Sequence, residues 1–349
     1  MTAVAIEGAA ALQALLRDNA AAARRPVRLC GHGTRARLLS PAPADALHVS
    51  LRQLHAIERL EPDDLTCTVQ PGVPCAELAQ ALAAHRLELG GVDAGDPGTV
   101  GGLYAADPLG PPVPGGACPR STLLGVDAVL AEGLAFRAGA RVVKSVAGFD
   151  VHRLLVGSRG RLFAATRLHL KLRPAPPTRA AFATPPLDLD EAVERCLALR
   201  WLPVPPRRLL LRGTGAGAAI HGCFAGRPAP VRAALRAHDL HEAPAVADGH
   251  LAAPAPGREL VVGRVRAIRL LELLRDLPAP APFVAHAGGH FEVELAPPDA
   301  DALLQRLPAL GARAAVALGA RVGLGGDDDQ APAVRQRLLL ALDPLGLLR

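Results

Sequence analysis

The stretch from Arg141 to Thr166, RVVKSVAGFDVHRLLVGSRGRLFAAT, combines glycines and charges within an otherwise apolar run. These residues are Lys144, Gly148, Asp150, Arg153, Gly157 and Gly160. Glycine has no Cβ, so its backbone can adopt positive φ and approach a ligand closely. A core segment needs neither so many glycines nor these charged residues. A backbone that wraps around a charged, flat molecule needs both. The stretch therefore predicts a ligand-binding segment. The alternative is a structural ion pair near a surface helix capped by Asp150.

A second glycine-rich segment, Cys30 to Arg35, directly follows the predicted strand Val27–Cys30. Successive backbone N–H groups in such a turn can form a nest for phosphate oxygens, and the hydroxyl of Thr34 adds a donor. The segment is neither a Walker loop nor a GxGxxG fingerprint, because the required spacing is absent. An ordinary turn after a strand is the alternative.

A third segment, DPGTVGGL, runs from Asp96 to Leu103. Its adjacent glycines, Gly101 and Gly102, are followed by apolar residues. They could begin a helix whose N-terminal amides face an anion. A proline-glycine turn followed by a tight contact between helix and sheet is the alternative.

Short apolar segments that alternate with turn residues must position these three segments. The predicted strands are Val27–Cys30, His48–Leu51, Thr66–Gln70, Val126–Leu130 and Leu168–Leu172, and the predicted helix is Cys75–His85. A proline-rich stretch, residues 173–186, is typical of a linker. Because 349 residues are too many for one ordinary core, we predict two α+β domains, about residues 1–175 and 176–349.

Composition excludes several classes of protein. The net charge of +6 would suit an anionic ligand, but the arginines are scattered and no basic run alternates with aromatics, so no nucleic-acid partner is expected. None of the six cysteines forms a CxxC pair, which disfavours an iron–sulfur or zinc site and indicates a reduced, cytoplasmic protein. No apolar run approaches about 18 residues, so no transmembrane segment is expected.

The segment HAGGHFEVE is a candidate metal site, because it contains His286, His290, Glu292 and Glu294. If this segment ends in a strand, Glu292 and Glu294 share one face, which could be a solvent face. Such patches are more often solvated than metal-bound, so we predict no metal ion here.

Taken together and in order, the three segments resemble the FAD-binding fold of the vanillyl-alcohol oxidase / p-cresol methylhydroxylase (PCMH) superfamily. Within it, they resemble the FAD-binding subunits of bacterial glycolate oxidases. That family shows a run like KNVAGYDLSRLMVGSxGxLGVLTE, and this chain has KSVAGFDVHRLLVGSRGRLFAAT from Lys144 to Thr166. The likeness covers about residues 26–175. It implies a PCMH-type domain in which FAD lies extended between two small α+β subdomains, followed by a smaller α+β cap domain for substrate or subunit docking.

The resemblance also implies which residues hold the cofactor. Those implied at the pyrophosphate are Gly31, His32, Gly33, Thr34 and Arg35. Those implied along the pyrophosphate and flavin are Gly98, Thr99, Gly101 and Gly102. The remaining ones are Pro71 and Gly72 at a turn, Arg120 in a segment of the type G-S-x-R-D, and Gly157, Gly160 and Thr166 at the adenine end. Arg120 is also a candidate for stabilising reduced flavin or binding a carboxylate, and no general base is assigned. Because Gly33 stands where some members have a tethering histidine, we expect non-covalent FAD.

The chain also departs from the family pattern. The loop of the type GPRRPW is GPPVPG at residues 110–115, Phe163 replaces a small glycine where the family approaches the adenine, and Arg167 replaces a glutamate. The ring of Phe163 could overfill the adenine pocket, or it could be swung away from it; the sequence leaves both placements open.

Two functions are compatible with these features. The first is an FAD-binding oxidoreductase subunit of a glycolate-oxidase-like complex, which oxidises a 2-hydroxy acid such as glycolate to glyoxylate and passes electrons onward. Its implied partners are a sister flavoprotein subunit and an iron–sulfur subunit, and its expected location is the cytoplasm or the membrane periphery through those partners. The alternative is a degenerate, flavin-free subunit that serves assembly. A stand-alone oxidase would need a complete substrate site, which the sequence does not reveal.

Overall fold

The computed structural model describes residues 3–36, 42–90, 95–106, 118–141, 150–214, 217–244, 249–251, 254–318, 324–325 and 331–348. The chain forms two compact units. The first comprises Met1–Pro108, Pro119–Ala175 and Asp328–Arg349, and the second comprises Leu109–Cys118 and Pro176–Asp327. Both units contain helices and sheets, which confirms the predicted α+β class.

The first unit begins with a small parallel sheet. Its strands are β1 (Val4–Ala5), β2 (Val27–Cys30) and β3 (Leu47–Ser50), which pair in the order β1–β3–β2, and α1 (Ala9–Ala21) connects β1 to β2. Leu12 and Leu16 lie one turn apart on α1 and are fully buried in the same core as Val27 and Val49. This core fixes β2, whose end leads directly into the first glycine segment.

A larger antiparallel sheet completes most of the first unit. Its elements in chain order are β4 (Ile57–Glu61), β5 (Thr66–Val69), α2 (Cys75–Ala83), β6 (Leu87–Glu88), α3 (Val100–Ala106), α4 (Pro119–Thr122), β7 (Leu123–Val129), β8 (Ala135–Gly139), β9 (Ala164–Lys171) and β10 (Arg173–Pro174). Five strands pair in the order β4–β5–β9–β7–β8, and β6 pairs with β10. Leu78 and Leu82 of α2 share a core with Val126 and Leu168 of the sheet. The central strands β7 and β9 begin earlier than predicted, because pairing continues beyond their most apolar residues.

The second unit is built on one long antiparallel sheet. Its elements are β11 (Thr178–Ala183), α5 (Leu189–Leu199), β12 (Arg208–Thr214), β13 (Gly217–Gly226), α6 (Pro228–Ala237), β14 (His241–Glu242), β15 (Glu259–Arg264), α7 (Leu270–Arg275), β16 (Phe283–His286), β17 (His290–Leu295), α8 (Pro297–Arg306), β18 (Arg313–Leu318) and β19 (Leu324–Gly325). In the described residues, these strands pair in the order β14–β11–β13–β12–β16–β17–β15–β18–β19. Phe291 and Val293 of β17 share a core with Val193, Leu274 and Leu303 of the helices.

Glu292 is buried, although the sequence left open that its face of the strand is exposed to solvent. Residues on a strand alternate between its two faces, so Glu292 lies opposite Phe291 and Val293. Its side chain is nevertheless completely buried, whereas that of Glu294 is 18% exposed and pairs with Arg258. The second face of this sheet is therefore covered at Glu292, and its buried carboxylate needs partners.

The C-terminal segment belongs to the first unit, and the predicted domain 176–349 differs from the structure in this respect. After α9 (Ala331–Leu342), the carboxylate of Asp343 accepts hydrogen bonds from the N–H groups of Leu347 and Leu348, both at 2.8 Å. Both leucines are buried in the core around β2, and the N–H of Val27 donates to the carbonyl of Leu347. Burial of this apolar tail overrides a simple division at the proline-rich linker.

Among the helices in the described ranges, none has the length and apolar character needed to cross a membrane.

Replacing Asp343 by alanine is expected to lower the free energy of unfolding by about 2 kcal/mol, because two buried N–H groups lose a charged acceptor. Urea denaturation followed by circular dichroism measures this change. The control is D64A, at an exposed turn, for which we expect a change within about 0.5 kcal/mol. Equal stability of D343A and D64A would contradict the assigned role of Asp343.

Candidate functional site

The segment from Gly31 to Arg35 forms an open turn at the end of β2. Gly33 has a φ of 75°, a conformation that favours glycine. Within the described part of the chain, the backbone N–H groups of residues 32–35 donate to no protein acceptor. Adjacent N–H groups that are not used by the protein can bind an anionic oxygen. The unused N–H groups are compatible with a phosphate-binding nest at this turn, which remains a prediction.

Asp96 connects this turn to the segment around Gly98. One carboxylate oxygen of Asp96 pairs with the guanidinium of Arg35, and the other accepts the N–H of Gly98 at 2.8 Å. Both charged side chains are largely buried, at 13% and 14% exposure. A Cβ on Gly98 would collide with the guanidinium. Arg35 therefore holds two loops together, and Asp96 is a site residue that sequence reasoning missed.

Direct packing joins the same two loops a second time. Thr99 is almost fully buried, and a Cβ on Gly31 would collide with its hydroxyl oxygen. His32 adds a contact of 3.2 Å between its Nδ1 and the carbonyl oxygen of Pro97. Glycine at position 31 is thus required for the close approach of the two segments.

The first amides of α3 do not face an anion, so the prediction for Gly101 and Gly102 differs from the structure. The N–H groups of Val100 and Gly101 donate to the carbonyls of Val73 and Pro71, both at 2.8 Å, and that of Gly102 donates to Thr99 Oγ1 at 3.2 Å. All three donors are therefore used within the protein. Gly101 is needed because a Cβ there would lie 2.6 Å from the Cβ of Pro71.

The turn at Pro71 and Gly72 helps to fix the positions of the two loops. The N–H of Gly72 donates to the carbonyl of Leu54 at 2.7 Å, and a Cβ on Gly72 would collide with the carbonyl oxygens of Leu51, Arg52 and Leu54. Pro71 in turn accepts from α3. These two residues position the glycine loops through backbone contacts.

The segment after the short 3₁₀ helix Val151–Leu155 reaches both other segments. Gly157 and Gly160 have φ values of 79° and 74°. The N–H of Gly157 donates to the carbonyl of Tyr104 at the end of α3, at 3.1 Å. A Cβ on Gly160 would lie 3.7 Å from Leu29 of β2, which is an ordinary contact. The structure therefore brings all three predicted segments together, although Lys144 and residues 110–115 lie outside the described residues.

Arg120 stabilises the segment from Arg141 to Thr166. Its guanidinium donates to the carbonyls of Arg153 and Val156, both at 3.3 Å. Carbonyls at the end of a helical turn carry partial negative charge and favour such a cation. Its predicted contact with flavin remains a prediction.

Thr166 and Phe163 lie in the antiparallel sheet and its core. Thr166 donates to the carbonyl of Asp127 at 3.0 Å and lines a cavity of about 420 Å³, which none of the glycine-loop residues lines. Phe163 is buried, and its ring meets that of Phe136 edge-on at 5.2 Å. The ring of Phe163 therefore fills the core of the first unit.

Two charged residues lie beside Thr166 in the cavity. Arg167 pairs with Glu58, while Arg137 pairs with Asp127 at 2.7 Å. Burial raises the pKa of Asp127, but hydrogen bonds from Arg137 and His169 outweigh this and hold that pKa below its ordinary value. The charge of Arg167, which stands where the family has a glutamate, is balanced by Glu58 within the sheet.

Comparison with known proteins identifies the domain. Residues 2–139 match the family described as FAD binding domain. These residues form a FAD-binding domain. This result confirms the predicted PCMH-type fold and confirms FAD as the cofactor. The unused N–H groups of residues 32–35 are compatible with this cofactor, because a pyrophosphate would offer them anionic oxygens.

Curated relatives agree with this domain. The chain is 29% identical over 197 residues to glycolate oxidase subunit GlcE of Escherichia coli, an alignment covering 55% of each chain. It is 30% identical over 148 residues to glycolate oxidase subunit GlcD of Bacillus subtilis, covering 41% of this chain and 31% of the relative. A D-lactate dehydrogenase of Archaeoglobus fulgidus is 25% identical, covering 56% of this chain and 45% of the relative. The chain thus spans about half the length of the curated relatives it matches, or less.

Solved structures show the same fold over nearly the whole chain. An alkyldihydroxyacetonephosphate synthase superposes with a TM-score of 0.66 at 14% sequence identity, covering 99% of this chain and 75% of that one. Such low identity supports the fold alone.

Replacing Asp96 by asparagine is expected to weaken FAD binding about tenfold, equivalent to about 1.4 kcal/mol. The neutral side chain no longer pairs with Arg35, so the two loops lose their charged connection. Titration of FAD followed by flavin fluorescence measures the dissociation constant. The control is E61Q, which removes the exposed ion pair between Arg59 and Glu61 on the same unit. If D96N and E61Q bind FAD equally well, Asp96 does not organise the site.

Proposed function

We propose that this chain is the FAD-binding oxidoreductase subunit of a complex resembling glycolate oxidase. The complex oxidises a small 2-hydroxy acid, such as glycolate to glyoxylate, and passes the electrons onward. Its other members are a sister flavoprotein subunit and an iron–sulfur subunit. A cytoplasmic location, with membrane association only through these partners, accompanies the proposal.

One observation carries the proposal: three glycine segments converge in a domain whose relatives include two glycolate oxidase subunits. The convergence depends on Gly31, which lies against Thr99, and on Gly98, which lies against Arg35. Gly160 makes an ordinary contact with Leu29 of β2. The similarity to GlcE extends over 197 residues, beyond the 138-residue length expected from the family match at residues 2–139 alone. D-lactate dehydrogenases among the relatives support the same substrate class.

The residues of this chain bind and orient the cofactor. FAD, when bound, supplies a two-electron acceptor for oxidation of the hydroxyl-bearing carbon. The amides of residues 32–35 bind its anionic part, and the pair of Arg35 and Asp96 keeps this turn against the loop at Gly98. Arg120 fixes the segment from Arg141 to Thr166 by donating to the carbonyls of Arg153 and Val156.

A flavin-free assembly subunit is the second candidate, because the loop of the type GPRRPW is replaced at residues 110–115. The packing of Phe163 in the core removes one of the two features that favoured it. The amides at residues 32–35, which donate to no acceptor among the described residues, also favour a bound anion over an empty scaffold.

The visible spectrum of the purified chain, before and after addition of FAD, tests the cofactor part of the proposal. We expect flavin bands, and we expect denaturation to release the flavin because the attachment is non-covalent. The variant G31A should lose most of the bound flavin, since its methyl group displaces Thr99. G8A is the matched control, because a Cβ on Gly8 meets no atom within 4 Å. No flavin bands under either condition would establish the flavin-free alternative.

Anaerobic addition of glycolate or D-lactate tests the substrate part. We expect the flavin bands to bleach when the chain is copurified with its partner subunits. Bleaching by neither acid, in a preparation that holds flavin and both partners, would refute 2-hydroxy-acid oxidation while leaving FAD binding intact.

A further inference from the structure

Two large apolar side chains are exposed on the helices of the second unit. Trp201, the single tryptophan of the chain, is 74% exposed, and Ile268 is 75% exposed. Aromatic residues make up only 3% of the chain, so an aromatic ring outside the cores is unusual here. Isolated apolar residues are common on protein surfaces, whereas several that lie together mark an interaction site. The position of the two side chains relative to each other therefore decides what they indicate.

The packing of α5 against α7 places these two residues at the same end of the helix pair. Asp190, in the first turn of α5, pairs with Arg275, the last residue of α7, so the two helices run antiparallel. Trp201 follows the end of α5, and Ile268 lies in the short 3₁₀ helix Ala267–Arg269 that leads into α7. The residues after α5 therefore lie beside those before α7.

Partly buried leucines extend the apolar area around both side chains. Leu202 directly follows Trp201, and Leu271 lies one helical turn beyond Ile268. Both leucines pack against the core of the second unit and remain partly accessible. The two exposed side chains thus stand on a packed apolar base. The name Trp201 surface is used below for Trp201, Leu202, Ile268 and Leu271.

Arg200 restricts the ring of Trp201. Its guanidinium carbon lies 5.3 Å from the centre of the ring, which is a cation–π distance. Its Nε is buried and has no hydrogen-bond partner in the part of the chain that the structure describes. A side chain that is already held in place loses less conformational entropy on binding. Tryptophan and arginine are also the residue types most enriched among those that dominate the free energy of protein–protein binding.

Two arginines leave positive charge at the border of the Trp201 surface. Within the described ranges, neither Arg200 nor Arg266 forms an ion pair, and Arg266 is exposed two residues before Ile268. Arg269, by contrast, pairs with Glu272 at 2.9 Å. A binding partner that carries carboxylates around an apolar pocket would match both the uncompensated charge and the exposed side chains.

Carboxylates on the same two helices favour a protein over a membrane as the partner. Glu194 of α5 and Glu272 of α7 are both exposed. An anionic lipid surface attracts polybasic segments and would repel these glutamates. A protein interface, in contrast, has an apolar centre within a polar rim. A second copy of this chain is also disfavoured, because a symmetric contact would bring the same uncompensated arginines, Arg200 and Arg266, towards each other.

We propose that the Trp201 surface binds a partner subunit of the complex, through an apolar pocket on that subunit that is bordered by carboxylates. The inference rests on the proposed function, which supplies the partner, and it adds the surface and the chemistry of the contact. Trp201 and Ile268 fill the pocket, and Arg266 pairs with a carboxylate at its rim.

Assembly with the sister flavoprotein and iron–sulfur subunits tests the proposal. The affinity of the full-length chain for these purified subunits is measured by biolayer interferometry. We expect W201S and I268S each to weaken binding at least about 30-fold, as for residues at the centre of an interface. We expect R266E to slow association and to reduce its dependence on salt.

The matched control is L134S, because Leu134 is 62% exposed at the turn between β7 and β8 of the first unit. It should bind the subunits as the unaltered chain does. All variants should keep their circular dichroism and their flavin content, since the altered side chains are exposed. If W201S loses its native circular dichroism, I268S and R266E decide the outcome.

The possible outcomes separate this inference from the proposed function. If the unaltered chain binds neither subunit, the assembly part of the proposed function fails together with the inference. If the unaltered chain binds and W201S and I268S bind as tightly as L134S, only the Trp201 surface is overturned.

Light scattering of the chain alone and flotation with vesicles test the other two occupants. The vesicles contain equal parts of phosphatidylcholine and phosphatidylglycerol. We expect W201S to change neither the mass of the chain in solution nor its recovery with vesicles. A dimer that W201S dissociates would assign the surface to a second copy, and vesicle binding that W201S abolishes would assign it to a membrane. Either result would overturn the proposal.

Discussion

Close backbone approach at the start of α3 is the constraint on which the first unit depends. The N–H groups of Val100 and Gly101 reach the carbonyls of Val73 and Pro71 only because no side chain intervenes at Gly101. Gly31 meets this same junction from β2, through Thr99. The end of α3 then accepts the N–H of Gly157. One seven-residue helix thus connects segments that lie far apart in the sequence.

An ion pair and a hydrogen bond also fix the position of the two loops. The carboxylate of Asp96 binds both a guanidinium and a backbone N–H, so a single side chain fixes the distance between two loops. Arg35 is consequently less available as a counter-charge for a ligand than its sequence position implies. In the proposed site, the amides of the neighbouring turn take that role, as partial charges that need no counter-ion of their own.

The sequence predicted the fold class and the three glycine segments because glycine density and alternating apolar runs are local signals. It did not predict the partners of those segments. The use of the α3 amides by Pro71 and Thr99, like the pairing of Asp96 with Arg35, depends on contacts between distant positions. The placement of Phe163 was left open for a related reason: its fit depends on Phe136, a partner that only the paired strands bring near. The burial of Glu292 could not be predicted from the sequence either. Strand alternation indicates which face a residue lies on, but not what covers that face.

The return of the C-terminal segment to β2 has a consequence for synthesis of the chain. Leu347 and Leu348 complete the core around Val27, but they are translated after every residue of the second unit. The second unit is therefore an insertion between two parts of the first, and its sheet can assemble on the ribosome before the core around β2 is closed. The core around the amino-terminal strands is complete only after the last residues of the first unit have been translated. The part of the chain that is synthesised first is therefore the last to be completed.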